Sequence, residues 1–211
     1  MREVPTSTPE AIIAAYDADA ASLFEPYEEI DSIRLHAPVQ ELFPPSPARV
    51  ADIGAGTGRD AAWLARLGYD VVAVEPAAGL REAGEARHAT AGIHWLDDRL
   101  PLLPRLSRRA ERFDLILSMG VWHHLDALDR ARAMPVLAGL LTAGGSLLLS
   151  IRHGPTPASR PGFDVSVSDT VKSAREAGLE PIAQREAPSL LPGNRAAGVV
   201  WTWLVLRRPV R

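Results

Sequence analysis

The sequence contains no cysteine and only one lysine, Lys172. The lack of cysteine excludes disulfides, cysteine-ligated metal ions and catalysis by a thiol. Apolar runs stay well short of the roughly 18 residues needed to span a bilayer, and residues 1–8 lack the apolar core of a signal peptide. We therefore expect a cytoplasmic protein without a membrane partner. The net charge of −3 also gives no sign of the basic surface typical of nucleic-acid binding.

The length of 211 residues suits one α/β domain with a sizeable core. Apolar residues recur at helical spacing from Pro9 onward, and Thr8 before that proline is a typical helix start. The prolines at 44, 45 and 47 end this helical leader. We predict that residues 1–211 form one domain, with a helical leader in residues 1–47 and an α/β core in residues 48–211.

Residues 50–68 predict a strand, a glycine-rich turn and a helix in succession. An apolar run at 50–53 indicates a buried strand, and a capped helix follows the turn. Gly54, Gly56 and Gly58 stand at alternate positions between them, where glycine allows positive φ and close approach of a ligand. This succession is typical of nucleotide binding in doubly wound α/β sheets.

The spacing of the glycines separates two classes of ligand. A dinucleotide-binding turn requires G-x-G-x-x-G, which would place the third glycine where Arg59 stands. Asp52 adds a carboxylate two residues before the first glycine. A pyrophosphate would be poorly matched to that carboxylate, whereas a ligand with a sulfonium and an α-ammonium group would be well matched.

The segment Val-Ala-Asp-Ile-Gly-Ala-Gly-Thr-Gly at residues 50–58 resembles the first motif of the class I S-adenosylmethionine-dependent methyltransferases. The resemblance implies a Rossmann-like seven-stranded sheet of order 3-2-1-4-5-7-6, with strand 7 antiparallel and the helical leader as a lid. It implies S-adenosylmethionine as cofactor and a small molecule as methyl acceptor. The motif residues expected to contact the cofactor are Asp52, Gly54, Ala55, Gly56 and Gly58.

Glu75 and Pro76 follow the predicted second strand at residues 70–74. An acidic side chain at this position can accept hydrogen bonds from both ribose hydroxyls. We therefore assign both residues to the cofactor site. Because NAD-binding proteins share this feature, it supports binding of a nucleoside without separating the two classes.

Two adjacent aspartates, Asp97 and Asp98, follow the predicted third strand. The resemblance implies a carboxylate here that accepts a hydrogen bond from the adenine amino group. The family pattern Asp-Ala-x-x-Leu-Pro is one residue longer than the segment at residues 97–101. Both aspartates therefore remain candidates, with Asp97 as the direct match.

The predicted fourth strand, residues 113–119, ends with Ser118 and Met119, which we expect at the cofactor. His123 follows in a His-His-Leu segment similar to that of many small-molecule methyltransferases. Its pKa near neutrality makes it a candidate general base, although it could also order the loop or stack on the substrate. Without a third ligand at suitable spacing, we predict no metal site.

The chain after the fourth strand predicts a helix at residues 126–141 that Pro135 should kink or split. A fifth strand at residues 146–151 and a closing hairpin at residues 179–206 should follow. Candidates for recognising an anionic acceptor lie beyond the fifth strand, although a solvated loop is the alternative; they are Arg152, His153 and Arg160.

Two other functions remain open at the level of sequence. An NAD(P)-dependent oxidoreductase would share the strand–turn–helix unit and the acidic Glu75. A non-catalytic S-adenosylmethionine-binding protein would share every motif named above. The oligomeric state and the acceptor atom are not predicted by any feature of the sequence.

Overall fold

The computed structural model describes residues 8–210 and is built around one seven-stranded sheet. The strands are β1 (Arg49–Ile53), β2 (Asp70–Val74), β3 (His94–Leu96), β4 (Phe113–Ser118), β5 (Leu141–His153), β6 (Glu180–Pro188) and β7 (Val200–Arg207). Their order is β3-β2-β1-β4-β5-β7-β6, and β7 runs antiparallel to both of its neighbours. The predicted fold class, strand order and closing hairpin are confirmed.

Nine α-helices surround the sheet in the described part of the chain. They are α1 (Pro9–Ala18), α2 (Ala20–Glu28), α3 (Ser32–His36), α4 (Arg59–Arg66), α5 (Ala78–Arg87), α6 (Pro104–Arg108), α7 (Ala127–Leu140), α8 (Val167–Glu176) and α9 (Pro192–Ala196). Short 3-10 turns at Gln40–Leu42 and Trp122–His124 complete the helical structure. Helices α1 to α3 lie within residues 1–47, the part of the chain that we call the leader.

The central strands are apolar because both of their faces are buried. Side chains of a strand alternate between the two faces, and the pattern here follows that rule. Ile116 and Leu147 belong to the core on one face, whereas Leu115, Leu117 and Leu148 belong to the core on the other. All five are at most 1% exposed. The sheet is therefore a rigid support for the loops at its carboxyl edge.

The structure differs from the sequence prediction at the junction of α7 and β5. Helix α7 passes through Pro135 as one element, because Met134 and Leu137 beside it are fully buried and hold it against the core. Residues 143–145, which lie between the predicted helix and the predicted fifth strand, are part of β5. The register between β5 and β4 shifts at these residues, so they remain within the strand. The strand therefore begins at residue 141.

The leader is joined to the core through the first residues of α4. Arg59 donates from Nε (3.0 Å) and Nη2 (2.8 Å) to the two carboxylate oxygens of Asp60. The same carboxylate accepts from Ser32 Oγ (2.7 Å) and lies 3.3 Å from His36 Nε2. Nη1 of Arg59 donates to the carbonyl oxygen of Tyr27 (2.8 Å). Burial opposes ionisation of Asp60, but Arg59 and His36 hold its pKa well below the usual range.

We predict that Asp60→Asn lowers the free energy of unfolding by about 3 kcal/mol, because it leaves the guanidinium of Arg59 without its countercharge in a largely buried site. Asp70→Asn is the matched control, since its ion pair with Arg49 is almost half exposed and should contribute less than about 1 kcal/mol. Urea denaturation of both variants measures the difference. If both variants lost the same free energy of unfolding, the contacts of Asp60 with Arg59, Ser32 and His36 would not anchor the leader.

Candidate active site

A cleft of about 670 Å³ opens at the carboxyl ends of β1, β2, β4 and β5. The turn between β1 and α4 forms its floor, and this is the edge at which open α/β sheets bind ligands. The leader covers the cleft from above with apolar and aromatic side chains. These include Ile12, Tyr16, Leu23 and Tyr27.

All three glycines of the turn have positive φ, but a side chain would meet different surroundings at each of them. A Cβ on Gly54 would lie 2.3 Å from Val121 Cγ2, and one on Gly58 would lie 2.5 Å from the ring of Trp95. A Cβ on Gly56 would meet no atom within 4 Å. Packing within the protein therefore requires Gly54 and Gly58, whereas Gly56 borders open space in the cleft.

Glu75 fixes this turn to the end of β2. Its Oε2 accepts from the backbone N–H of Gly56 (2.7 Å), and its Oε1 accepts from that of Ala77 (2.8 Å). The residue is 6% exposed. Burial raises its pKa to about 7 against the opposing effect of the two N–H groups. Each carboxylate oxygen retains a further lone pair, and the residue lines the cleft.

A second carboxyl group, that of Asp52, lies at the end of β1 in the cleft wall. It is 2% exposed. Burial and the neighbouring charge of Asp60 raise its pKa. The charge of Arg59 would favour the ionised form of Asp52, but its Nε and Nη2 already donate to Asp60. The cleft thus holds two carboxyl groups whose charged forms are disfavoured by burial.

The two aspartates after β3 have different surroundings. Asp98 is buried in the cleft wall, where its carboxylate accepts from the backbone N–H groups of Arg99 (2.9 Å), Arg105 (2.8 Å) and Leu106 (2.8 Å). Asp97 is exposed and pairs with the Arg105 side chain at 2.9 Å. Asp98, not the direct motif match Asp97, therefore faces the cleft, and its carboxylate also anchors α6.

The structure brings most of the predicted site residues together. Those that line the cleft are Asp52, Gly54, Ala55, Gly56, Glu75, Pro76, Asp98, Met119 and His123. Three others lie outside its wall: Gly58, Asp97 and Ser118, the last being fully buried at the end of β4.

Adjacent histidines after β4 have different hydrogen-bond environments. Nδ1 of His124 lies 3.0 Å from the carbonyl oxygen of Pro161, so this nitrogen carries the proton and Nε2 accepts from the Tyr16 hydroxyl at 3.0 Å. Nδ1 of His123 is buried without a partner among residues 8–210. Burial lowers the pKa of both rings, that of His123 well below its usual value. Both are neutral at pH 7.

The opposite end of the cleft carries two arginines that the sequence placed beyond β5. Arg152 and Arg160 both line the wall, and Arg160 forms an ion pair with Asp19 of the leader. His153 instead contacts Thr202 Oγ1 at 2.8 Å on β7 and lies outside the cleft wall. Sequence reasoning missed the contributions of the closing hairpin, which supplies Asn194 and Trp201.

Within residues 8–210, no group of three or more His, Cys, Asp or Glu side chains could hold a metal ion. None of the helices there has the length and apolar character required to cross a membrane.

A family model, sequence relatives and solved structures all relate this chain to methyltransferases. Residues 50–145 match a family model described as a methyltransferase domain. An uncharacterized methyltransferase of Mycobacterium tuberculosis is 33% identical over 131 residues, which cover 58% of this chain and 63% of that protein. A ubiquinone biosynthesis O-methyltransferase of Xanthomonas axonopodis is 30% identical over 145 residues, covering 68% of this chain and 58% of that protein. The matched region thus spans about three fifths of each of these two relatives.

The fold is also found in solved structures of low sequence identity. One is the 1,6-didemethyltoxoflavin-N1-methyltransferase of Burkholderia thailandensis, with bound 1,6-didemethyltoxoflavin and S-adenosylhomocysteine. It aligns over 98% of this chain and 93% of its own length, with a TM-score of 0.67 and 20% identity. At 20% identity, this structural similarity is evidence for the fold alone.

We predict that stability falls between pH 4.5 and about 7 partly because of Glu75. The folded protein holds the Glu75 proton up to about pH 7, whereas the ordinary pKa is 4.5. The unfolded state therefore loses the proton first, and stability decreases as pH rises through this range, by up to about 1.4 kcal/mol per pH unit. Glu75→Gln should have a shallower slope, measured by urea denaturation at several pH values. Glu82→Gln, at an exposed site, should keep the wild-type slope; an unchanged slope in Glu75→Gln would contradict the assignment.

Proposed function

The chain belongs to the class I S-adenosylmethionine-dependent methyltransferase family, as the glycine motif predicted, and from this premise we propose that it transfers a methyl group from S-adenosylmethionine to a small-molecule acceptor. The open space at Gly56, flanked by the carboxyl groups of Asp52 and Glu75, carries the proposal. The proposal keeps the domain expected from the sequence, residues 1–211 with the leader as lid and the core at residues 48–211, of which residues 1–7 and 211 lie outside the described part of the chain. The proposal includes the cytoplasmic location expected from the sequence.

The residues of the cleft fit this cofactor in shape and in charge. The turn at Gly56 leaves its backbone open to a ligand. Glu75 retains acceptor lone pairs for the ribose hydroxyls, and Asp52 offers a negative charge to an ammonium group. Asp98 and Leu100 in the adjoining wall suit the adenine ring. When bound, S-adenosylmethionine supplies an electrophilic methyl group on its sulfonium sulfur.

The charge state of the cleft favours a cationic ligand over a dinucleotide. Burial raises the pKa of Asp52 and of Glu75, so ionisation of either group is costly unless a positive charge lies nearby. A nearby positive charge stabilises both carboxylates, whereas a pyrophosphate would oppose them. This difference supports S-adenosylmethionine over NAD(P) and makes the oxidoreductase the weaker alternative.

The acceptor end of the cleft combines exclusion of water with a neutral base. Tyr16 and Tyr27 cover it from the leader, and the hydrogen bond from Tyr16 to His124 closes the cover onto the core. His123 lines the same space, carries no charge, and has a buried Nδ1 without a hydrogen-bond partner among residues 8–210. We assign to His123 the role of accepting a proton from the acceptor O–H or N–H group, while the pocket aligns that atom for attack.

We predict that the wild-type protein binds S-adenosylhomocysteine and not NAD, and that Gly56→Val abolishes this binding. The valine side chain would occupy the open space beside the turn. Gly178→Val is the matched control, because Gly178 also has positive φ and open surroundings but lies at the end of α8. It imposes similar backbone strain away from the cleft. Isothermal titration of each protein with both ligands provides the measurement, with circular dichroism to verify folding.

Binding of NAD without binding of S-adenosylhomocysteine would reject the proposed function. Normal affinity in Gly56→Val would remove Gly56 from the site. Binding of S-adenosylmethionine without turnover of any phenolic, amine or carboxylate acceptor would favour the non-catalytic alternative.

We predict that His123→Asn lowers kcat by about 10²- to 10⁴-fold, the range typical of a lost general base, without weakening S-adenosylhomocysteine binding. Because burial lowers the pKa of His123, the wild-type rate should not decline as pH falls through 6.5. Release of S-adenosylhomocysteine from pH 5.5 to 8.5 measures both effects. His94→Asn, at an exposed site, is the control. A wild-type rate in His123→Asn would exclude proton transfer by this residue.

A further inference from the structure

Arg152 carries a largely buried positive charge at the acceptor end of the cleft. It is 8% exposed and lies in β5 near its carboxyl end. Its Nε and Nη2 donate to the carbonyl oxygen of Pro155 at 3.1 and 2.5 Å, and Nη2 also donates to Asn194 Oδ1 at 3.1 Å. The guanidinium carbon lies 5.4 Å from the ring centre of Trp201. Every one of these partners is electrically neutral.

No carboxylate forms an ion pair with Arg152 within residues 8–210, in contrast to the second arginine of the same wall. Arg160 has a comparable aromatic contact, 5.1 Å from the ring centre of Tyr16, but its charge is matched by Asp19. An uncompensated buried charge is costly, and burial accordingly lowers the pKa of Arg152. A negative group on a ligand would supply the missing countercharge.

The guanidinium is held ready for such a group. Pro155 and Asn194 occupy Nε and Nη2, so the plane of the fork is fixed while Nη1 has no hydrogen bond to the described chain. The two N–H groups of Nη1 can therefore donate to carboxylate or phosphate oxygens of a ligand. His123 and His124 are neutral, so they neither compete for an anion nor replace one.

We propose that the methyl acceptor is a small aromatic acid whose carboxylate or phosphate group binds Arg152. The ring of the acceptor would lie among the aromatic side chains of Tyr16, Tyr27 and Trp201, which line this end of the cleft. This inference rests on the proposed function, because it identifies the acceptor of the same cleft. It gives Arg152 a role in specificity and leaves the methyl transfer to the positioned acceptor atom.

The test uses the full chain saturated with S-adenosylhomocysteine and three probes of similar size. Benzoate and phenyl phosphate carry the anionic group, and benzamide is the neutral counterpart of benzoate. Isothermal titration should show that at least one anion binds about tenfold or more tightly than benzamide, since hydrogen bonds to a charged partner are worth this much. Absence of such a preference, including absence of binding by all three probes, would overturn the inference.

Arg152→Gln separates recognition from a structural role in holding the loop at Pro155. We expect this variant to bind benzoate and benzamide equally while its affinity for S-adenosylhomocysteine stays within about twofold of wild type, a difference well below one hydrogen bond to a charged group. Arg185→Gln, on the exposed strand β6, should keep the preference for the anion. Survival of the preference in Arg152→Gln would reject Arg152 as its source.

Failure of this inference is distinguishable from failure of the proposed function. The titration with S-adenosylhomocysteine is made first and involves no acceptor probe. A protein that binds S-adenosylhomocysteine but shows no preference for the anionic probes retains the proposed function and loses only the acceptor class. A protein that does not bind S-adenosylhomocysteine loses both.

Discussion

The cleft depends on one buried carboxylate, that of Asp60. It receives the fork of Arg59 from its own helix and the hydroxyl of Ser32 from the leader, and it lies within ion-pair distance of His36. These contacts hold α3 of the leader against the start of α4, directly beside the glycine turn. A buried charge tolerates few arrangements, because each requires that its partners be present together. The leader consequently covers the cleft in one position, and from there Tyr16 reaches His124 on the opposite side.

The parts of this structure that were predictable are those encoded by neighbouring residues. Strand periodicity and the glycine turn are local patterns, so the sheet, its order through the family resemblance, and most of the cleft floor followed from the sequence. The resemblance implied a lid, but the contact that holds it on the core was not predictable in the same way, because Tyr16 and His124 are 108 residues apart along the chain. Arg59 illustrates the limit: its presence argued against a dinucleotide site, but nothing local indicated that it would join Asp60 to Tyr27 of the leader.

Two features lie elsewhere than the sequence suggested, and the reason is again a contact between separate segments. Asp97 matched the family pattern directly, but the backbone N–H groups at the start of α6 lie where Asp98 can accept them. A carboxylate is stabilised by the unpaired N–H groups at the start of a helix. Asp98 therefore points inward, whereas Asp97 lies outside. The early start of β5 likewise depends on pairing with β4, which is a tertiary contact. Neither outcome can be read from the segment alone.

The charges of the cleft are divided between its two ends, and this division bears on chemistry. Carboxyl groups at Asp52 and Glu75 border the turn, whereas the unmatched guanidinium of Arg152 borders the acceptor end. Between them His123 is neutral, and burial has lowered its pKa, which makes it a weak base. A weak base suits an acceptor whose reacting group is already acidic or is held by hydrogen bonds. Under the proposed function, the main contribution of the chain would be to orient two ligands of opposite charge under one cover and to exclude water from the space where they meet.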